Sequence, residues 1–137
     1  MTTTRGASDE SNAMGTSVHG TRAIFRPEGE FWTIALGSEV CRLRDSAGLR
    51  YLAVLLRRPG LKVLAADLLL LAGRVPAERA PTDRERARVR ITHAIRTTMR
   101  RLAQHHAALS EHLRATVSTG TYCVYRPDPR RSVEWEL

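Results

Sequence analysis

Asp83-Arg84-Glu85-Arg86-Ala87-Arg88-Val89-Arg90-Ile91-Thr92-His93-Ala94-Ile95-Arg96-Thr97-Thr98-Met99-Arg100-Arg101-Leu102 is the stretch that decides the reading of this chain. At 100° per residue, Ile91, Ile95, Thr98 and Leu102 fall within about 60° of one another. That clustering marks a core-facing helical stripe. The opposite face carries Arg86, Val89, Arg90, His93, Arg96, Thr97, Arg100 and Gln104, with four arginines and no acid. A merely solvated helix mixes both signs and gains pairs one turn apart. A face that tolerates its own repulsion is suited to an anionic ligand. Thr82 and Glu85 fit a capping box, so a long helix is expected from there to about His106.

The charge of the whole chain follows the same helix. Among 137 residues the net charge is +8, and of 22 basic residues all but Lys62 are arginine. Between Asp83 and Arg131 eleven arginines stand against four acids, a balance of +7 that accounts for nearly all of the excess. Arginine presents a planar fork of donors that matches phosphate and guanine edges. Segregated basic charge of this kind is the electrostatic footprint of nucleic-acid binding. Aromatic residues are only 5%, so the core must come from Leu, Val, Ile and Ala. The basic region also lacks the stacking platforms that single-stranded RNA recognition uses.

Outward from this helix the elements read in the order β-β-α-α-α-β-β. Residues 1–22 are Thr-, Ser- and Gly-rich and read as a disordered tail, with Ser11-Asn12-Ala13-Met14 resembling a cloning remnant. Phe25 opens the ordered part. Glu30–Leu36 alternates, Gly37-Ser38 is a turn signal and Val40–Leu43 returns, which together predict an antiparallel hairpin. Asp45 or Ser46 caps a first helix over 46–58, closed by Arg57, Arg58, Pro59 and Gly60. Ala65–Ala72 reads as a short second helix whose four leucines are expected in the core. A loop covers 73–81. Glu111–Leu113 adds at most a turn. Ala115–Ser118 and Thr121–Tyr125 read as a second hairpin around Thr119-Gly120, with Val117, Tyr122 and Val124 on the core side. Residues 128–137 form a C-terminal extension, and nothing in the sequence says whether Trp135 docks on its own domain or on a second subunit.

The hairpin Thr116-Val117-Ser118-Thr119-Gly120-Thr121-Tyr122 has a small polar tip of the kind that lets backbone amides approach phosphates. Arg114 and Arg126 flank it. With these parts in place, residues 25–126 resemble the winged helix-turn-helix effector domain of bacterial response regulators of the OmpR/PhoB type. The matching parts are Trp32–Leu43, Leu49–Leu56, Arg58-Pro59-Gly60, Ala66–Leu71, Arg90–Leu102 and Val117–Tyr125. The resemblance implies an α+β winged-helix domain over 23–127. By its match, Arg96, Thr97 and Arg100 take outward, DNA-facing positions. The chain departs from the pattern in three ways. Thr121 separates Gly120 from Tyr122, the segment Gln104–Arg114 is long, and the Trp-Gly usual near 73–82 is missing.

The expected DNA-contacting set is therefore Arg86, Arg90, His93, Arg96, Thr97, Arg100 and Arg101 on the helix, with Ser118, Thr119 and Thr121 at the hairpin tip. The expected role is transcriptional regulation on double-stranded DNA, as a homodimer on two half-sites. Any input would come through a signalling or transcription-machinery partner. The competing reading is a winged-helix adaptor for an acidic protein, since fold does not fix function. An enzyme is disfavoured, because HExxH, CxxC, GxSxG and phosphate-loop motifs are all missing. His105, His106 and His112 beside Glu111 read as surface residues, with no metal or cofactor. Cys41 and Cys123 are too few for a disulfide framework and read as small core hydrophobes, a single disulfide between them being left open. With no stretch of about 20 apolar residues and no signal-peptide core, the expectation is a cytoplasmic protein outside the membrane.

Overall fold

A computed structural model describes residues 20–73 and 83–137. Their architecture is mixed α+β, with four helices and two small sheets. The first sheet begins with an antiparallel meander of β1 (Thr21–Glu28), β2 (Phe31–Leu36) and β3 (Glu39–Arg44). Its two tight turns each place a glycine at positive φ, Gly29 at 68° and Gly37 at 62°. Glycine takes that conformation without the steric cost of a β-carbon. Period-two alternation sends Phe25, Trp32, Ile34 and Leu43 into the core. Arg22, Arg42 and Arg44 lie on the other face, exposed.

Ser46 caps α1 (Ala47–Leu56) by accepting from the Leu49 amide, and every residue from Leu49 to Leu56 except Arg50 is buried. Two backbone bonds tie the segment after α1 to the far hairpin. Gly60 N donates to Tyr125 O at 2.7 Å and Ala65 N to Thr121 O at 2.9 Å. Between them β4 (Val63–Leu64) joins a second sheet with β5 (Val117–Ser118) and β6 (Tyr122–Tyr125), in the order β4-β6-β5. The helix α2 (Ala65–Leu71) leads towards α3 (Arg84–His105), which α4 (Ala107–Thr116) follows almost directly.

Several expectations change. The N-terminal hairpin is a three-stranded meander, because Ala23–Glu28 pairs with β2. The residues read as a C-terminal extension supply β7 (Val133–Glu136), a fourth strand lying parallel to β1 with Trp135 opposite Ala23. Leu68 and Leu69 are buried, but Leu70 and Leu71 are about half exposed. Four leucines at 100° steps point around the whole helix, and α2 buries only one side. The turn expected near 111 is a full helix, with Leu109 and Leu113 in the core. That helix absorbs Ala115 and Thr116 and shortens the first hairpin strand to two residues. Tyr122 is exposed at the turn end of β6, whereas Val124 is buried and Val117 packs on the core. Thr82 lies outside the described residues. Asp83 caps α3 by accepting from the Glu85 amide at 2.8 Å, and the Glu85 carboxylate pairs with Arg88. Cys41 is half-buried and Cys123 fully buried. Both are free thiols, and burial pushes both up from the ordinary thiol pKa.

Candidate nucleic-acid interface

The site starts from how α3 is held. Ala87, Ile91, Ile95, Thr98, Met99 and Leu102 are buried, which includes all four residues of the expected stripe. Ser110 of α4 donates to the Met99 carbonyl oxygen at 3.0 Å and fixes the two helices against each other. With the inner face so committed, helical geometry leaves the arginine face outward.

Arg86, Arg90, His93, Arg96 and Arg100 are exposed, and Thr97 is half-buried. Among the described residues no carboxylate pairs with Arg86, Arg90, Arg96 or Arg100. Arg100 donates to Thr97 Oγ1 at 3.3 Å, so these two side chains sit together on the surface. Arg88 differs. The hydrogen-bonded Glu85 carboxylate raises its pKa and is itself held below the usual carboxylate range. That pair removes Arg88 from the unpaired cations, which on this face are Arg86, Arg90, Arg96 and Arg100.

Arg101 leaves this set. It is half-buried and its guanidinium donates to the Arg44 carbonyl oxygen at 3.4 Å, towards β3. A residue one step along the helix turns by about 100°, enough to carry it off the face that Arg100 occupies.

The hairpin joins the helix at a groove of about 400 Å³ lined by Arg96, Arg100, Arg114 and Thr119, with Ile95, Met99 and Val117 as its apolar floor. Ser118 and Thr121 are exposed beside it, and the Thr121 carbonyl oxygen is engaged by Ala65 N. The sequence pattern puts Arg114 at a strand flank. It stands on α4, where its Nε donates to Ser110 Oγ at 3.4 Å. Leu109 and Leu113 at helical spacing were the signal that could have placed it there. Guanidiniums on two helices and a hydroxyl at the turn converge on one cleft, an arrangement that offers charge-assisted donors to a phosphate oxygen.

The histidines do not gather. His105 is exposed at the end of α3, while His106 and His112 are buried, against the surface reading. His106 caps α4, its Nδ1 accepting from the Leu109 amide at 3.3 Å. Glu39 Oε1 approaches the same nitrogen to 3.6 Å. His112 packs beside the Tyr125 and Trp135 rings, with centroids 6.5 and 6.4 Å away. Among the described residues no three His, Cys, Asp or Glu side chains are placed to hold a metal ion. No described helix is long and apolar enough to cross a membrane. No family model, curated protein or solved structure matches this chain.

Proposed function

We propose that this chain is a winged-helix DNA-binding module of the OmpR/PhoB type, acting in transcriptional regulation. In this reading α3 enters the major groove and the β5–β6 hairpin is the wing on the adjacent backbone. The observation that carries it is the unpaired cationic face of α3, Arg86, Arg90, Arg96 and Arg100, continuous with the groove that reaches Arg114 and Thr119. A helix about 10–12 Å across fits the major groove, and arginine takes guanine or phosphate with paired donors. The succession of α1, a turn bonded to the hairpin, α2, α3 and hairpin supports the same assignment. One module covers a modest DNA surface, so two copies on two half-sites is the assembly that goes with it.

The test is titration of the protein into a fluorescent random-sequence duplex at several salt concentrations. Binding through Z phosphates weakens with a log–log salt slope of about −0.9Z. An Arg96→Ala/Arg100→Ala variant with an unchanged circular dichroism spectrum is expected to bind roughly a hundredfold more weakly, at about 1–1.5 kcal/mol per charged contact. No binding by the native protein at low salt overturns the proposal and turns the search to an acidic protein partner.

A further inference from the structure

On the side of the molecule built from α4, β1 and β7 lies a second cavity, of about 450 Å³. Gly20, Thr21, His112, Arg130, Arg131 and Ser132 line it, with Glu111 also on its wall. Three remote pieces of chain meet here: the start of β1, the outer side of α4 and the turn that leads into β7.

The turn is fixed from within. Asp128 Oδ1 accepts from Arg130 N at 2.8 Å, and the Asp128 carbonyl oxygen accepts from Arg131 N at 3.0 Å. Thr21 N donates to the Ser132 carbonyl oxygen at 2.9 Å. Gly20 closes that corner at φ 71°, where a β-carbon would stand 2.9 Å from the same oxygen. The backbone beneath both guanidiniums is thus held, yet among the described residues no carboxylate pairs with either side chain. His112 is only 8% exposed, and its Nε2 has no hydrogen-bond partner among the described residues. A buried polar atom without a partner is costly, and a ligand group is one way of satisfying it.

We infer that this cavity binds a small molecule carrying a phosphate or carboxylate group, with Arg130 and Arg131 supplying charge-assisted donors, Ser132 a hydroxyl and His112 Nε2 the buried partner. Two forked cations line the cavity against one lining carboxylate, Glu111, with Asp128 also near His112, and paired guanidinium donors match either oxyanion. The site has an outlet. Ser132 leads into β7, where Trp135 Nε1 donates to Tyr125 OH at 3.0 Å on the hairpin strand β6. A ligand that fastens residues 130–132 therefore braces the hairpin. Only this regulatory consequence rests on the DNA-binding reading; the site does not.

The experiment is NMR titration of the full chain with inorganic phosphate, and separately with succinate, at constant ionic strength against a chloride control. Saturable shifts are expected at the amides of Gly20 and Arg130–Ser132 and at the His112 ring. The His112 titration should move to higher pH, since a bound anion favours the imidazolium. Arg131→Ala, an exposed position, should weaken binding about tenfold or more while leaving the rest of the spectrum in place. An Arg130→Ala/Arg131→Ala variant covers the case in which one guanidinium suffices. Shifts confined to α3, a response equal to that of chloride, or full affinity in the double variant overturns the inference. None of these readouts involves DNA, so failure of the module to bind duplex would leave this result standing.

Discussion

Gly48 of α1 and Thr98 of α3 meet so closely that a β-carbon on Gly48 would lie 2.0 Å from Thr98 Oγ1. It would also stand 2.5 Å from the Ala94 carbonyl oxygen, which belongs to the α3 backbone and cannot swing away. This crossing sets how α1 carries α3, and hence where the arginine face stands. In an open helix alanine would be favoured over glycine by about 1 kcal/mol. Here overpacking of about 1–3 kcal/mol or more opposes that gain. Gly48→Ala is expected to lower stability by about 1–2 kcal/mol, read as a drop in the urea midpoint. Adding Thr98→Ala removes only the hydroxyl clash, so it should restore stability in part and not fully.

Arg100 and Arg101 are neighbours in sequence and separate in role. Arg100 lines the helix–hairpin groove, while Arg101 is spent on the Arg44 carbonyl oxygen. Arg100→Ala should weaken duplex binding about tenfold, the loss of one charged contact. Arg101→Ala should change it less than about threefold. Fluorescence anisotropy on both variants decides this, and equal losses would mean that Arg101 turns outward in the complex.

Trp135 packs edge-on to Phe25 and Tyr125, with centroids 6.1 and 6.3 Å away, and donates its indole N–H to Tyr125 OH. Trp135→Phe keeps most of the packing and removes the bond, at a cost of about 1 kcal/mol. Trp135→Ala removes both and should cost about 2–4 kcal/mol, less than a fully buried tryptophan because this one is only partly buried. Thermal and urea unfolding of the two variants would show the gradation. Equal, negligible losses would mean that β7 does not brace the sheet in solution.

Burial lowers the His112 pKa, nearby Arg131 lowers it further, and Asp128 opposes them. The unfolded chain, with a pKa near 6.5, then binds a proton more readily than the folded one. Stability from this group is full above about pH 6.5 and is lost as the pH falls towards the lowered value. Unfolding midpoints measured at about pH 7.5 and 5.5 should fall on acidification, and His112→Gln should flatten that fall. The exposed carboxylates of Glu28, held low by Thr33 and Arg26, and of Glu85, held low by Arg88, titrate at more acidic pH and leave this window clear. A variant with the native pH dependence would remove His112 from the account.

The stripe Ile91, Ile95, Thr98 and Leu102 and the arginine face opposite it were legible because both belong to one helix, whose period sequence displays directly. The hairpin around Gly120 and the cap at Ser46 were legible for the same reason, as both are local turn chemistry. The helix at 107–116 was hidden. Its cap is a histidine, its apolar positions are few, and its end runs straight into a β-prone segment. Arg114, which joins the groove only because that helix exists, was misplaced with it.

Sequence by itself determined the amphipathic α3, the bias of its outer face to arginine and the mixed α+β class, since each depends on spacing within single segments. Tertiary structure alone decided the rest. Thr21–Ile24 and Val133–Glu136 lie at opposite ends of the described chain, and their pairing has no local signature. The burial of His112 beside two aromatic rings and the turn of Arg101 away from Arg100 depend on neighbours supplied by other elements. Periodicity states which face of a segment is apolar. It does not state what will cover that face.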